Sequence, residues 1–138
     1  FRHISTYGGC AGTMAAALES TRIIEDENLI ENCRVVGAYL LEKLTELNEL
    51  PLVGDVRGVG LFCGIEFVRD KATREPISEA EMATIMSSVL AEGVIVGRTN
   101  SSLDGLNTIM NFAPSLIITR DQVDQVVAAV RMAIEKGV

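Results

Sequence analysis

Residues 52–68, LVGDVRGVGLFCGIEFV, decide the fold. Leu61, Cys63, Ile65 and Phe67 alternate with Phe62, Gly64, Glu66 and Val68, a period of two that sets one series on a buried face and the other opposite it. Gly58 and Gly60 supply turn or bulge positions ahead of that run. The pattern predicts a strand near 52–57, a tight reversal, and a longer strand over 60–68.

Outward from this hairpin the period changes. Upstream, Leu29, Cys33, Val36, Leu40, Leu44 and Leu47 recur at intervals of three or four, the apolar stripe of an amphipathic helix, which Pro51 closes. Before it, small residues from Ala11 and then Ile23 and Ile24 predict a first helix to about Asp26, entered through glycines and left through the polar EDEN segment. Its Ala15-Ala16-Ala17 face permits close packing. Downstream, RDKATREP (69–76) reads as a charged turn, and Ser78 with Glu81 forms a capping box opening a helix to about Ala91 that stops at Gly93. VIVGR (94–98) reads as a short buried strand, TNSSLDGLN (99–107) as a polar loop and TIMNF (108–112) as a further strand. Thr119 and Gln122 repeat the capping box before a terminal helix with Val123, Val126, Val127, Val130 and Ile134 on one face. The order ααββαββα predicts an α+β fold, with helices packed on one face of a small, mainly antiparallel sheet.

Composition excludes several function classes. With 138 residues, 48% of them hydrophobic, the chain can bury a core and is too apolar to be disordered. Twelve basic against nineteen acidic residues give a net charge of −7, with no basic cluster and few aromatics, which argues against nucleic-acid binding. No apolar run approaches the ~18 residues of a membrane span. Cys10, Cys33 and Cys63 are odd in number and widely spaced, and His3 is the only histidine, a pattern that suggests neither a disulfide framework nor a zinc site and fits a reducing, cytoplasmic setting.

Few residues invite chemistry. Thr6, followed by Gly8 and Gly9 at a helix entry, offers a hydroxyl, uncapped N–H groups and the positive end of a helix dipole, which suit a phosphate; turn glycines with a capping threonine explain the same residues. Arg98 ends an apolar strand before a polar loop, where it can fork onto a carboxylate or simply reach an acidic neighbour. Arg57 is most simply a turn residue with a structural ion pair. His3 lacks a recognisable nucleophile and orienting acid, and Cys10 lacks a catalytic partner.

The collinear blocks F-x-H-x-x-TY-x-G, N-C-x-x-x-G-A-Y-L, P-L-V-G-D-V-R-G-x-G-L-x-x-G-I-E, G-V-I-V-G-R, F-A-P-S-L and T-x-x-x-V-D carry a likeness that extends over essentially the whole chain. The chain resembles the C-terminal part of class III aminotransferases, pyridoxal-phosphate enzymes of fold type I. The resemblance implies that Thr6, with Ser5 beside it, contacts the cofactor phosphate of the other subunit across a homodimer. It also implies that Arg98 pairs with a substrate carboxylate. The first block departs from the family's usual TYSGHP, with Gly8, Cys10 and Ala11 where Ser, His and Pro are common. The later MNFAP (110–114) lacks the arginine that members acting on 4-aminobutyrate often carry, which tilts the resemblance toward ω-amino acid:pyruvate transaminases.

On this resemblance the family's Schiff-base lysine lies upstream of the threonine block, and none of Lys43, Lys71 and Lys136 stands in a suitable place. The expectation is a C-terminal piece of a longer enzyme, inactive alone, which as a whole moves an amino group from an amine or ω-amino acid to a 2-oxo acid such as pyruvate. Residues 1–27 would belong to the large-domain and dimer-interface side, and 28–138 would form the small domain. The alternative is a stand-alone, non-catalytic α+β binding or regulatory module.

Overall fold

A computed structural model describes residue 6, residues 8–100, residue 103 and residues 105–137. Ser5 and His3 lie outside the described residues. The chain forms α1 (Ala11–Asp26), α2 (Leu29–Glu46), a 3-10 turn (Leu47–Glu49), β1 (Val53–Val59), β2 (Phe62–Asp70), β3 (Glu75–Pro76), α3 (Glu79–Ala91), β4 (Gly97–Arg98), β5 (Ile109–Phe112) and α4 (Arg120–Glu135).

The central hairpin pairs antiparallel with Val56 opposite Ile65, Gly58 opposite Cys63 and Val59 opposite Phe62. β2 then pairs antiparallel with β5, and β5 with β4, in the order β1-β2-β5-β4, while the short β3 folds back on the end of β2. The fold is α+β with an antiparallel sheet, as the period switch predicts. Along β2, Cys63, Ile65 and Phe67 are buried and Phe62 is exposed, so the alternation divides core from outer face up to Phe67; Val68, of the opposite series, is buried as well. Met110 and Phe112 of β5 join the inner set. Leu40 and Leu44 of α2, Met82, Ile85 and Val89 of α3, and Val123, Val127 and Val130 of α4 close over it.

Close backbone approach shapes this core. A Cβ on Gly37 of α2 would lie 2.3 Å from the carbonyl carbon of Gly60, so the helix can cross the hairpin reversal only with glycine there. Gly60 makes the reversal itself at φ +55°, a conformation that favours glycine. Gly58 is not a turn residue: it sits within β1, where a Cβ would meet the Sγ of Cys63 at 2.5 Å. The irregularity in the β1–β2 ladder falls between Val53 and Asp55 instead.

Arg57 likewise lies in a strand, and the ion pairing expected of it is present. Its Nη1 donates to Asp55 at 2.7 Å and to Glu66 at 2.8 Å, bridging two carboxylates that stand opposite each other in the ladder. The 94–98 segment departs further from expectation. Only Gly97 and Arg98 join the sheet, and Ile95 is 87% exposed. The reason is the helix exit: Val94 N–H still donates to the Val89 carbonyl, so the chain reaches the sheet edge only at Gly97.

Both predicted capping boxes are formed, Ser78 with Glu81 and Thr119 with Gln122. Among the described residues no helix is long and apolar enough to cross a membrane, and no group of three His, Cys, Asp or Glu side chains could hold a metal.

Candidate functional site

Thr6 is exposed in a turn ahead of α1. Gly9 follows at φ +84°, and Cys10 occupies the N-cap without a side-chain cap; the first turn of α1 contains no acidic residue. The first turn of α1 thus carries no carboxylate of its own to offset the positive end of the dipole. The Cys10 thiol is held below its ordinary value, chiefly by the backbone hydrogen bond of Thr13. Thr6 and this helix entry fit a phosphate on that chemistry.

Arg98 stands on β4, half-buried, opposite Met110 of β5. Among the described residues its guanidinium makes no hydrogen bond and no ion pair within 4 Å. Its strand neighbour Gly97, though not Arg98 itself, lines an apolar hollow of about 490 Å³ together with Phe62, Ile95, Phe112, Ala113 and Pro114 among others. The F-A-P block thus forms a wall next to the arginine's strand. Thr6 and Arg98 are not brought into one site. Thr6 precedes a helix that packs on α2, whereas Arg98 is on the edge strand of the sheet.

The three lysines are all engaged at the surface. Lys43 pairs with Glu46 at 2.7 Å, Lys71 donates to the Asn48 carbonyl at 2.6 Å, and Lys136 pairs with Glu92 at 2.7 Å. The hydrogen bond it donates to Glu46 holds the Lys43 ammonium above its ordinary value, the opposite of what a nucleophilic amine needs.

One contact was invisible in the sequence. Glu79, the first residue of α3, accepts from Asn107 Nδ2 at 2.9 Å and from the Gly105 N–H at 3.2 Å. These bonds hold its carboxyl below the ordinary value, the Asn107 bond most, with a smaller through-space contribution from Arg98. In sequence Glu79 looks like an acidic first-turn residue of a capped helix, and nothing local ties it to a loop 26 positions later.

The aminotransferase class-III family model matches residues 1–134. The chain belongs to the class III aminotransferase family. It is 44% identical over 137 residues to the taurine–pyruvate aminotransferase of Rhodobacter capsulatus, covering 99% of this chain and 30% of that protein. It is 45% identical over 137 residues to the hypotaurine/taurine–pyruvate aminotransferase of Paracoccus denitrificans, with the same coverage. The crystal structure of a Bacillus anthracis aminotransferase superposes with a TM-score of 0.92 at 43% identity, over 99% of this chain and 30% of that one. An amine transaminase from an uncultivated Pseudomonas species, solved in a PLP-bound form, gives 0.86 at 34% identity, over 99% of this chain and 29% of that one. The chain spans about 30% of the length of these relatives.

Proposed function

We propose that this chain is the C-terminal part of a pyridoxal-phosphate-dependent aminotransferase that moves an amino group from an amine or ω-amino acid to a 2-oxo acid such as pyruvate. Family membership and the pyruvate named for the two relatives support the reaction class. The taurine in those names suggests a donor with an acidic end, which an arginine would suit. The observation that carries the reading is Arg98 itself: a half-buried arginine on the edge strand, with no ion-pair partner among the described residues.

Pyridoxal phosphate, when bound, supplies the electron sink that lets a proton leave the donor's α-carbon. On this reading Thr6, with Ser5, donates to its phosphate, and the entry of α1, with no acidic residue in its first turn, adds dipole charge. Arg98 orients an acidic substrate by forking onto its carboxylate or sulfonate. The lysine that bears the cofactor and moves the proton lies elsewhere in the whole enzyme, a reading supported by the occupied surface positions of Lys43, Lys71 and Lys136. The chain by itself is then inactive.

Residues 1–27 belong, in this reading, to the large-domain and dimer-interface side of a homodimer, and 28–138 form the small domain. The complete lack of buried residues in α1 supports that division. The free cysteines agree with a cytoplasmic setting.

The test is a pair of half-reaction rates in the whole enzyme, one for β-alanine and one for a simple arylalkylamine. Arg98→Ala should weaken the carboxylated donor by about 2–4 kcal/mol, the scale for losing a charged partner in a partly desolvated pocket, and spare the amine. Lysine should rescue only in part because it lacks the planar fork. Equal losses for both donors would remove the carboxylate role.

A further inference from the structure

We propose that Glu79 is a positioning residue for Arg98, holding the return limb of the 99–107 loop so that the arginine's strand is presented in one place. The inference rests on the reading of Arg98 given above.

β4 offers the arginine little support of its own. It contributes two residues, Gly97 and Arg98, to the edge of the sheet, and the chain then leaves for a polar loop. The loop is clamped at its neck, where Thr99 N–H donates to the Ile109 carbonyl at 3.0 Å and Ile109 N–H reaches Thr99 Oγ1 at 3.4 Å. A second clamp lies at the return limb. Asn107 Nδ2 and Gly105 N–H converge on one oxygen, Oε1 of Glu79, at 2.9 and 3.2 Å. Asn107 and Thr108 are buried, so this limb is fixed against the body while the loop beyond it is polar.

The platform behind that oxygen is rigid. Met82, Ile85 and Val89 anchor α3 in the core at 0% exposure. The capping box of Ser78 and Glu81 fixes the first turn, and Arg69 bonds the same Glu81. Because Glu81 already serves the cap, the carboxylate of Glu79 is left to reach across to the loop. A hydrogen bond to a charged acceptor is worth more than a neutral one, and two on a single oxygen fix direction as well as distance. With Glu79 removed, the return limb keeps the neck clamp next to Arg98 and the bond from the Phe67 N–H to the Thr108 carbonyl at 3.0 Å, but loses the carboxylate that ties Gly105 and Asn107 to α3, and the strand that presents the guanidinium gains room to shift. An interaction that depends on a planar fork is sensitive to such a shift.

The experiment uses the whole enzyme with Glu79→Ala, Glu79→Gln, Asn107→Ala and Arg98→Ala, and measures KM and kcat for β-alanine and for an arylalkylamine. Glu79→Ala is expected to raise KM for β-alanine about tenfold, the equivalent of one hydrogen bond's worth of positioning, with kcat and the arylalkylamine unchanged. Glu79→Gln, whose amide oxygen still accepts both N–H groups, should restore KM to within about threefold of the parent. Asn107→Ala should move KM in the same direction as Glu79→Ala, and serves if that variant folds poorly. Amide exchange at Gly105 should quicken in Glu79→Ala and not in Arg98→Ala. A selective loss in Arg98→Ala with β-alanine KM unchanged in both Glu79→Ala and Asn107→Ala overturns the tether and leaves the arginine's role standing. An unselective loss in Arg98→Ala overturns that role and the tether with it. Failure of Glu79→Gln to restore KM, or equal losses for both donors in Glu79→Ala, also overturns the inference.

Discussion

Two helices of this chain have the same length and opposite characters. α1 and α4 each run for sixteen residues, yet α4 buries six of them and opens with a complete capping box, whereas α1 buries none and has no side-chain cap. Met14 and Leu18 on α1 are 58% and 54% exposed. Burial of an apolar stripe stabilises most helices in proteins, so α4 owes its place to the core while α1 owes its form to alanine-rich local propensity and its contact with α2. The difference teaches that the core is assembled from α2 onward and that α1 contributes no buried residue to it.

Identical substitutions in the two regions can break that contrast. The largest effect is expected from Gly37→Ala, because the new Cβ would lie 2.3 Å from the backbone of Gly60. It should cost about 3 kcal/mol, at the upper end of overpacking. Gly12→Ala in α1 has nothing within 4 Å of the new Cβ and should instead gain up to about 1 kcal/mol from helix propensity. Urea denaturation of both variants checks the pair, and a comparable loss in Gly12→Ala would show that α1 packs far more tightly than the structure has it.

A second pair sharpens the comparison by chemistry. Ile134 in α4 is 4% exposed and Ile23 in α1 is 42% exposed. Ile134→Ala should cost about 2–3 kcal/mol through lost burial and a residual cavity, and Ile23→Ala about 0.5 kcal/mol or less. The shift in denaturation midpoint at constant slope measures each.

The smallest effect concerns the caps. Glu81 is held down to about 2, first by the Ser78 hydroxyl, then by the Ser78 N–H and the Arg69 guanidinium. Its ordinary value is 4.5, so between these two pH values the unfolded chain carries a proton that the folded one lacks. Stability from this group is full above pH 4.5 and is lost as the pH falls toward 2. Acid titration of the unfolding midpoint should therefore be shallower in Glu81→Gln than in the parent. An unchanged slope would remove Glu81 from the account of how the capped helices differ from α1.

Legibility in the sequence followed the range of the interactions. The alternation of 61–67, the stripe of α2 and both capping boxes are set by neighbours within a few positions, and each appeared where its pattern placed it. VIVGR misled because apolar composition announces burial, while whether Ile95 meets the sheet depends on how α3 releases the chain. Gly58 misled for a related reason: its glycine clears the Cys63 side chain across the ladder, a requirement indistinguishable in sequence from a turn. Arg98 could be singled out from its strand-to-loop position. Glu79 could not, since its bond to Asn107 joins residues 28 positions apart and no local spacing encodes it.

The two-residue length of β4 also governs what the molecule does in company. An exposed sheet margin invites a neighbour's strand in proportion to the number of unpaired backbone groups it displays, and margins that are short or charged discourage such recruitment. β4 displays only Gly97 and Arg98, and the polar loop that follows carries the chain away at once. At the far margin, the ladder irregularity between Val53 and Asp55 and the charged side chains of Asp55 and Arg57 on β1 interrupt the flat surface that an incoming strand would need. Both ends of the sheet are thereby closed to strand-by-strand growth, and crowded copies of this chain are steered away from fibrillar stacking.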